Sequence, residues 1–368
     1  MIVFCHLLND TSGSPMVLRQ AIRARAPTGE DAVLFVGSQG RGALETAGVP
    51  IQRYWYRRSG ARIVTLFTYL ASQLFLYRAL VRARLPADAL VYVNTLLPFG
   101  AALWGHTTGR RVIYHLHEVS VTPGLLRRFL TDIARRTAAR LIYVSNDHRA
   151  RLPIADAASV VIANPVDPDL LAKARATAPR ARTGVFEVLM LASPRDFKGV
   201  PEYLALARAL RDRDDIRFTL VLNGTPAEVD AYLAPQDVPD NLAVHPRTED
   251  PAGFLAAADL VVNLSRVDLW IETFGLTLIE AMAFGVPVIA PPIGGPVEIV
   301  TDGREGWLID SRDPDKLQTA VTRMADDTAL YAKMSAAARD RAGAFTFEAF
   351  SQALSAVVRS VQTGEPRP

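Results

Sequence analysis

The sequence is poor in cysteine, and this scarcity excludes some classes of protein. Cys5 is the only cysteine among the 368 residues, so the chain cannot form an internal disulfide and is not a small disulfide-rich secreted scaffold. A lone cysteine fits a reducing compartment instead. Residues 1–8 are too short and lack the basic flank of a secretory signal peptide, so we expect no cleaved leader.

Long uninterrupted apolar runs are also scarce. The nearest candidate for a transmembrane helix is 63–81, which carries Arg78, Gln73 and several hydroxyls, so we expect no membrane-spanning segment. Hydrophobic residues nevertheless make up 49% of the chain, which favours a globular protein over a disordered one. Its length predicts two domains of ordinary size, each able to bury a core.

Lysine is absent from the first part of the chain. Residues 1–165 contain 20 arginines, no lysine and 9 acidic residues, which gives a net charge of +11. The remaining residues contain 21 basic and 29 acidic side chains, which gives −8. This asymmetry predicts that only the first half meets an anionic partner.

The chain also lacks the G-x-G-x-x-G fingerprint of dinucleotide-binding proteins. Its start nevertheless predicts a buried strand at 2–8, a Gly-containing loop at 9–15 and a helix at 16–25. This order favours a Rossmann-like α/β fold. Further apolar runs with the pattern of parallel strands lie at 89–94, 111–118, 141–145, 160–163, 186–192, 218–222, 242–245, 260–264 and 286–290.

One stretch, 272–287 (ETFGLTLIEAMAFGVP), joins two strand-like runs through a loop and a helix. Thr273 is a helix N-cap residue type, and Gly275 follows it. A helix N-terminus carries unpaired N–H groups and partial positive charge, and a glycine there lets a phosphate approach the backbone. Glu272 and Glu280 bracket this position with carboxylates that suit sugar hydroxyls. The stretch therefore predicts a sugar-nucleotide site, or else a buried crossover helix with solvated glutamates.

The same stretch resembles the E-x7-E motif of the retaining family 4 glycosyltransferases, with Glu272 and Glu280 as its two acids. Residues 294–298 (GGPVE) and 302–306 (DGREG) resemble the segment that follows it in that family. The resemblance covers most of the chain, with specific motifs in the second half and weaker ones in the first. It implies an α/β fold of the GT-B type: two facing Rossmann-like domains with a central cleft, and a C-terminal helix that crosses back to the first domain.

This resemblance also sets the expected domain boundaries. A Rossmann-like acceptor-binding domain would span residues 1–170, and a Rossmann-like domain for the nucleotide-sugar donor would span 184–346. A C-terminal helix at 347–368 would pack back on the first domain. The Ala-, Arg-, Thr- and Pro-rich residues 172–184 are the expected linker.

In the second half, the resemblance implies that Glu272 holds hydroxyls of the donor sugar and Glu280 holds the ribose hydroxyls. Arg195 and Lys198 match the pair that clamps the donor diphosphate, in a loop that is shorter here than in many members. Arg247 lies where the family seats its base, chiefly through backbone. The expected phosphate seat at the helix start comprises Thr273, Phe274, Gly275 and Leu276.

In the first half, Gly13 matches a Gly-rich loop that faces the donor diphosphate, with one glycine where most members have two. His117 matches a histidine near the donor sugar, and it ranks above His115, which would share its strand face. A third metal ligand or an H-E-x-x-H helix is lacking, so we expect no metal at these histidines.

Two other segments fit a D-x-D metal pattern, Asp167-Pro168-Asp169 and Asp313-Pro314-Asp315, but Asp-Pro clusters mainly form turns. The resemblance implies that neither a metal nor another cofactor is required, because protein cations and a helix end take over the metal's charge role. It also implies reaction on one face of the sugar, with the leaving phosphate helping to deprotonate the acceptor. We therefore expect no side-chain nucleophile.

The implied function is retaining transfer of a hexose or related sugar from a nucleotide diphosphate sugar to an acceptor hydroxyl. The expected setting is the synthesis of bacterial cell-surface polysaccharide or glycolipid. The alternatives are a sugar-nucleotide epimerase or hydrolase on the same architecture, and a non-catalytic sugar-nucleotide-binding protein. The presence of Glu272, Glu280 and Lys198 speaks against the non-catalytic alternative.

Two basic stretches bear on the acceptor. Residues 53–84, rich in aromatics and arginines, predict either a core helix with a solvated basic end or a surface that enters a membrane interface. Residues 125–140 predict a second basic helix. With the charge of +11, they favour a lipid-linked or glycan acceptor at the inner, cytoplasmic face of the cell membrane. The alternative is a soluble acceptor and a basic face that only keeps the protein dispersed; no nucleic acid is expected.

Overall fold

The computed structural model describes residues 1–177 and 184–364 of the chain. They form two compact units: unit 1 contains 1–165 and the C-terminal segment from Phe347, and unit 2 contains 166–346. The first segment of unit 1 thus ends at Pro165, before the predicted boundary at residue 170. The difference arises because Asp167 already caps a helix of unit 2, at Pro168–Ala176.

Unit 1 is built on a seven-stranded parallel sheet with the order β3-β2-β1-β4-β5-β6-β7. Its strands are β1 Ile2–His6, β2 Ala32–Gly37, β3 Ile51–Tyr54, β4 Leu90–Asn94, β5 Val112–His115, β6 Arg140–Tyr143 and β7 Ser159–Val161. Its first five helices are α1 Gly13–Arg25, α2 Arg62–Arg82, α3 Phe99–Thr107, α4 Gly124–Thr137 and α5 Asn146–Arg151. Every residue of β1, β4 and β5 is buried, as expected for central strands of a covered parallel sheet.

Unit 2 is built on a six-stranded parallel sheet with the order β10-β9-β8-β11-β12-β13. Its strands are β8 Phe186–Ala192, β9 Ile216–Leu222, β10 Leu242–His245, β11 Leu260–Val262, β12 Val288–Ala290 and β13 Gly306–Leu308. Its helices are α6 Pro168–Ala176, α7 Val200–Ala209, α8 Pro226–Leu233, α9 Ala252–Ala257, α10 Leu276–Ala283, α11 Pro296–Ile299, α12 Pro314–Asp326 and α13 Thr328–Ala342. Short 3₁₀ turns lie at Ala26–Thr28, Ala43–Thr46 and Asp196–Lys198.

Both sheets have the doubly wound strand order of Rossmann-like domains. In each, the chain adds two strands on one side of the first strand and then crosses to its other side. The predicted α/β fold with two Rossmann-like domains is confirmed.

The last helix, α14 (Phe347–Thr363), belongs to unit 1 and packs on α1. Arg25 Nη1 donates to Ser355 Oγ at 2.9 Å, and Gln362 Nε2 donates to Glu30 Oε1 at 2.7 Å. Phe350, Leu354 and Val358 are buried. These contacts hold the end of the chain against unit 1, as the resemblance implies.

Several local predictions are wrong in instructive ways. The predicted linker begins inside α6, whose Leu170 and Ala174 are buried. Residues 178–183 of that linker lie outside the described residues. The two Asp-Pro-Asp segments are not turns: Asp167 and Asp313 are N-cap residues of α6 and α12, each with proline at the first helical position. Turns and helix N-caps favour the same residue types, so the sequence did not separate them.

The two basic stretches also differ from expectation. Residues 53–54 belong to β3, and the helix α2 begins only at Arg62, because the intervening residues form a loop. In the second stretch, α4 ends at Thr137. Arg140 is the first residue of β6 and is buried, so it is not part of a basic helix face.

Candidate functional site

The carboxyl ends of β8 and β11 mark the topological switch point of unit 2, where ligands of open α/β sheets bind. The loop at 193–199 follows β8, and the loop at 263–275 follows β11. Lys198 lies on the first loop and Glu272 on the second. The two predicted site residues are therefore brought to the same edge by neighbouring strands.

Lys198 and Glu272 form an ion pair that joins these loops. Lys198 Nζ donates to Glu272 Oε1 at 2.5 Å, and Ser265 Oγ donates to the same oxygen at 2.7 Å. The loops are packed tightly at Gly199, because a Cβ there would lie 2.0 Å from the carbonyl oxygen of Leu264. Gly199 also has φ +81°, a left-handed conformation that glycine adopts without strain. The pair is thus held by close backbone packing.

The surroundings of Glu272 keep its carboxylate ionised. Burial by itself would raise its pKa, but the positive charge of Lys198 and hydrogen bonds from Lys198, Ser265 and Asn263 bring the pKa below its ordinary value. The carboxylate is therefore an acceptor near neutral pH. Such a group suits hydroxyl donors, which is the chemistry expected of a sugar-binding side chain.

The residues just before α10 pack closely against Gly295. Gly275, with φ +122°, is the N-cap residue of α10, so the prediction of Thr273 as the cap is wrong. A Cβ on Gly295 would lie 2.4 Å from the carbonyl oxygen of Thr273, and the N–H of Gly295 donates to the carbonyl of Glu272 at 2.8 Å. Phe274 is buried against Phe345, with ring centroids 5.8 Å apart. This packing fixes the helix start, whose first N–H groups lack intrahelical acceptors.

Glu280 lies on the buried face of α10 and is 8% exposed. Helix α10 packs against α6, whose N-cap residue is Asp167. Burial, followed by the charge of Asp167, raises the pKa of Glu280 to about 7. Glu280 can therefore change protonation near neutral pH, in contrast to Glu272.

Arg195 and Arg247 are exposed and follow β8 and β10. The N–H of Lys198 donates to the carbonyl of Arg195 at 3.0 Å, and the N–H of Arg247 donates to the carbonyl of Gly224 at 3.0 Å. Hydrogen bonds from Thr225 lower the pKa of Glu228, and the charges of Arg247 and Arg195 lower it further. Two exposed cations thus share one electrostatic neighbourhood at this edge, a suitable environment for an anion.

In unit 1, the switch point lies between β1 and β4, and His117 is oriented there by Asn94. Asn94 Nδ2 donates to the carbonyl of Ser14 at 3.1 Å, so its Oδ1 faces His117 Nε2 at 3.0 Å. An amide oxygen only accepts, so His117 Nε2 carries a proton. Gly13, the other predicted residue of this unit, is the first residue of α1, directly before Ser14.

His117 is half-buried and lies beside a group of buried histidines. Its ring centroid lies 4.4 Å from that of His115, so the two share a side of the sheet edge as predicted. Burial lowers the pKa of His6 and His148 to about 4 and that of His115 to about 3. Burial, with the other three histidines, also lowers the pKa of His117 well below its ordinary value. These rings are neutral at physiological pH, and His117 acts there as a hydrogen-bonding group.

The backbone next to Asn94 is strained. Thr95 has φ +73°, an unusual conformation for a β-branched residue, and its N–H donates to the carbonyl of His115 at 2.8 Å. Glu118 accepts hydrogen bonds from the N–H groups of Leu96 and His117, while burial raises its pKa. Within residues 1–177 and 184–364, no group of three or more His, Cys, Asp or Glu side chains is arranged to hold a metal ion.

Sequence reasoning missed the residues that orient the predicted ones. Asn94, Asn263 and Ser265 each follow or end a strand and hydrogen-bond to a predicted residue or its loop. Their only sequence signal is a polar residue at the carboxyl end of an apolar run. Which predicted residue each one contacts depends on strand order, which the local pattern does not contain.

The chain is similar in sequence to known glycosyltransferases. Residues 177–341 match the family model described as Glycosyl transferases group 1. The chain is similar to a D-inositol 3-phosphate glycosyltransferase of Geodermatophilus obscurus, with 33% identity over 207 residues, which are 52% of this chain and 44% of the relative. A protein of the same name from Nocardioides sp. is 38% identical over 100 residues, which are 27% of this chain and 21% of the relative. The matches thus span less than half of each relative.

Two solved structures share the fold over nearly the whole chain. HepE of Anabaena, in complex with UDP-glucose, has a TM-score of 0.77 and 22% identity, and the match covers 98% of this chain and 99% of that one. Sucrose-phosphate synthase of Thermosynechococcus elongatus has a TM-score of 0.76 and 19% identity, with 99% of both chains covered. At these identities the similarity establishes the architecture.

Proposed function

We propose that this chain, whose residues 177–341 match the family model of the group 1 glycosyl transferases, transfers a sugar from a nucleotide diphosphate sugar to an acceptor hydroxyl. The observation that carries the proposal is the Lys198–Glu272 pair at the switch point of unit 2. An ammonium group can bind a phosphate, and an ionised carboxylate beside it can accept hydrogen bonds from sugar hydroxyls. The complex of HepE with UDP-glucose supports a donor of this class.

In the proposed reaction, different residues of unit 2 bind different parts of the donor. Glu280 accepts hydrogen bonds from the ribose hydroxyls, and Glu272 accepts them from the donor sugar. Lys198, Arg195 and the N-terminus of α10 at Thr273–Leu276 stabilise the charge that develops on the leaving diphosphate. Arg247 lies beside the base.

We further propose that the product keeps the anomeric configuration of the donor. The leaving phosphate would take the proton of the attacking hydroxyl on the same face of the sugar, so no side-chain nucleophile takes part. Neutral His117 in unit 1 would hydrogen-bond the donor sugar, and the start of α1 at Gly13 would approach the diphosphate. No metal is needed in this scheme, because Lys198, Arg195 and the helix start supply positive charge.

The alternatives differ in what they do without an acceptor. A sugar-nucleotide hydrolase or epimerase would act on the donor alone, and a binding protein would leave it intact. The presence of Glu272, Glu280 and Lys198, with Glu272 paired to Lys198, speaks against the binding protein.

The test is incubation of the chain with a panel of UDP-, GDP- and ADP-sugars, with and without glycan or lipid-linked acceptors. Acceptor-dependent release of nucleoside diphosphate, with a glycosylated product, is the expected result. Lys198→Ala should abolish most of the release, whereas Lys173→Ala should not, because Lys173 pairs with Asp250 on an exposed surface. Equal release without any acceptor would reject the transferase in favour of a hydrolase.

We also propose a membrane-borne acceptor, such as a lipid-linked glycan, reached from the cytoplasmic face of the cell membrane. The support lies in α2, which has two different faces. Tyr69, Leu76 and Leu80 are buried, and Gln73 accepts a hydrogen bond from the N–H of Gly100, so the helix is part of unit 1. Its other face is apolar and exposed at Ile63, Val64, Phe67, Leu70, Leu74, Phe75 and Val81.

The charge around this face suits an anionic surface. Arg57, Arg58, Arg78, Arg82 and Arg84 are exposed near the two ends of α2, and α4 adds exposed Leu125 and Phe129. By length and composition, Ile63–Arg82 could also cross a membrane, with mean hydropathy 1.3 and 28% of the window buried. Its packed inner face favours docking at the interface, where apolar side chains enter the headgroup region.

A further inference from the structure

Two aromatic rings flank the ammonium group of Lys198. Phe197 precedes it in the loop after β8, and Trp270 lies in the loop after β11. The rings of Phe197 and Trp270 stack, with centroids 4.9 Å apart and an angle of 23° between their planes. Lys198 Nζ lies 4.8 Å from the centre of the Trp270 ring and 6.0 Å from that of Phe197. A cation over an indole face at this distance is attracted by the ring's quadrupole.

The position of Trp270 is determined by the backbone of both loops. The N–H of Trp270 donates to the carbonyl of Arg266 at 2.8 Å, and the N–H of Arg266 donates to the carbonyl of Phe197 at 2.9 Å. The Arg266 side chain pairs with Glu202 at 2.7 Å. Among the described residues, the indole Nε1 has no hydrogen-bond partner, so stacking on Phe197 orients the ring.

We propose that Trp270, supported by Phe197, is a positioning residue for Lys198: the indole face holds the ammonium group where it can neutralise both Glu272 and the leaving diphosphate. This inference depends on the proposed function of Lys198. Lysine has a long flexible side chain whose ordering costs conformational entropy. Attraction to a ring face offsets that cost and uses none of the three N–H donors, so those not given to Glu272 remain for phosphate oxygens.

The first experiment tests the contact without any reaction. Trp270 emission is obtained as the difference between the fluorescence spectra of the wild type and Trp270→Phe. The same difference is then taken in a Lys198→Met background. We expect Lys198→Met to change the Trp270 emission, and Lys173→Met, which removes a lysine charge elsewhere in unit 2, to leave it unchanged. An identical Trp270 spectrum with and without Lys198 would overturn the proposal.

The second experiment tests positioning. Trp270→Phe keeps a ring face and should reduce kcat by at most about threefold, whereas Trp270→Leu removes the face and should reduce it about tenfold, the range of a cation–π contact. Because Lys198 holds the pKa of Glu272 down, the acid limb of the kcat/KM profile should move to higher pH in Trp270→Leu. Acceptor KM should not change. Equal losses in both variants with an unmoved acid limb would show a merely structural role and overturn the proposal.

Failure of the transferase proposal can be distinguished from failure of the Trp270 proposal. If the wild type turns over no sugar nucleotide, the transferase proposal fails, and the emission experiment still decides whether Trp270 contacts Lys198. Affinity for UDP and GDP then replaces kcat as the readout: Trp270→Leu should weaken it about three- to tenfold relative to Trp270→Phe. The affinity for uridine or guanosine, which lack phosphate, should be the same in both variants. Unchanged diphosphate affinity would contradict the positioning role.

Discussion

Asp167, the N-cap residue of α6, acts electrostatically on Glu280, which is buried on α10, and the two helices pack together in unit 2. Burial and this neighbouring carboxylate raise the pKa of Glu280 to about 7. The ordinary pKa of a glutamate is 4.5, so the folded protein binds this proton more tightly than the unfolded chain does. A residue proposed to bind ribose is therefore also a source of pH-dependent stability.

The first prediction concerns that stability. The contribution of protonated Glu280 is fully present below pH 4.5 and is lost as pH rises through about 7. Glu280→Gln keeps the shape without the charge, so its melting temperature should rise relative to the wild type between pH 5 and pH 8. The difference at pH 8 should correspond to about 2–3 kcal/mol. A constant difference across this range would show that Glu280 does not titrate as described; calorimetry at four pH values suffices.

The second prediction separates the two glutamates. At pH 8, where Glu280 is ionised, Glu280→Ala should lower the affinity for nucleoside diphosphate about tenfold or more, because a charge-assisted hydrogen bond of about 1.5–3 kcal/mol is removed. Glu272→Ala should spare the binding of bare nucleoside diphosphate and reduce turnover. Isothermal titration with folded variants measures the affinities. Unchanged affinity in Glu280→Ala, or equal loss of affinity and turnover in Glu272→Ala, would contradict this division of roles.

The third prediction concerns the packing that holds Lys198. Gly199→Ala combines a left-handed φ of +81° with a Cβ placed 2.0 Å from a carbonyl oxygen, so it should destabilise unit 2 by about 3 kcal/mol or more. Gly303→Ala is the matched control: its φ is +77°, and a Cβ there has no atom within 4 Å. The control should cost only about 1–2 kcal/mol. Chemical denaturation compares the two, and similar costs would argue against the close contact.

The fourth prediction concerns mechanism. The anomeric configuration of the product should match that of the donor, and saturating chelator should leave the rate unchanged, because Lys198, Arg195 and the start of α10 supply the positive charge. NMR of the glycosidic linkage and initial rates with and without EDTA measure the two. Inversion of configuration would reject the same-face mechanism. An absolute need for Mg²⁺ or Mn²⁺ would direct attention back to Asp167 and Asp169.

The fifth prediction concerns the membrane. The chain should float with anionic liposomes, release from them as salt rises, and bind at least tenfold more weakly when four arginines are neutralised, since each contributes about 1 kcal/mol. Those arginines are Arg57, Arg58, Arg82 and Arg84. Phe67→Ser, on the exposed face of α2, should weaken binding without altering the pairing of Lys198 with Glu272.

A charge-matched control distinguishes a specific surface from net charge. Neutralising four exposed arginines of unit 2 removes the same charge and should leave flotation unchanged; these are Arg175, Arg211, Arg217 and Arg323. Equal binding to anionic and neutral liposomes at low salt would reject the membrane proposal. The transferase proposal would stand unaffected.

Much of the architecture was predictable because strands and helices leave local patterns. Strands such as 2–6 and 186–192 appear as runs that are mostly apolar, and the strand, loop and helix around Gly275 can be read from apolar spacing and helix-ending residues. The fold and the resemblance to the group 1 glycosyl transferases were therefore accessible from the chain itself, whereas the roles of Glu272, Glu280 and Lys198 stay predictions. The boundaries were less so, because Asp167 serves equally as a turn residue or a helix cap.

Tertiary structure alone decided which of these residues meet. Lys198 and Glu272 are 74 positions apart, and they pair only because β11 lies beside β8 while β9 and β10 lie on its other side. The stacking of Trp270 on Phe197, the effect of Asp167 on Glu280 and the exposure of Phe67 on α2 follow from packing in the same way. Apolar periodicity is a local property and encodes the elements; hydrogen bonds, pKa shifts and exposed faces depend on neighbours distant in the chain, which exist only after the sheets have formed.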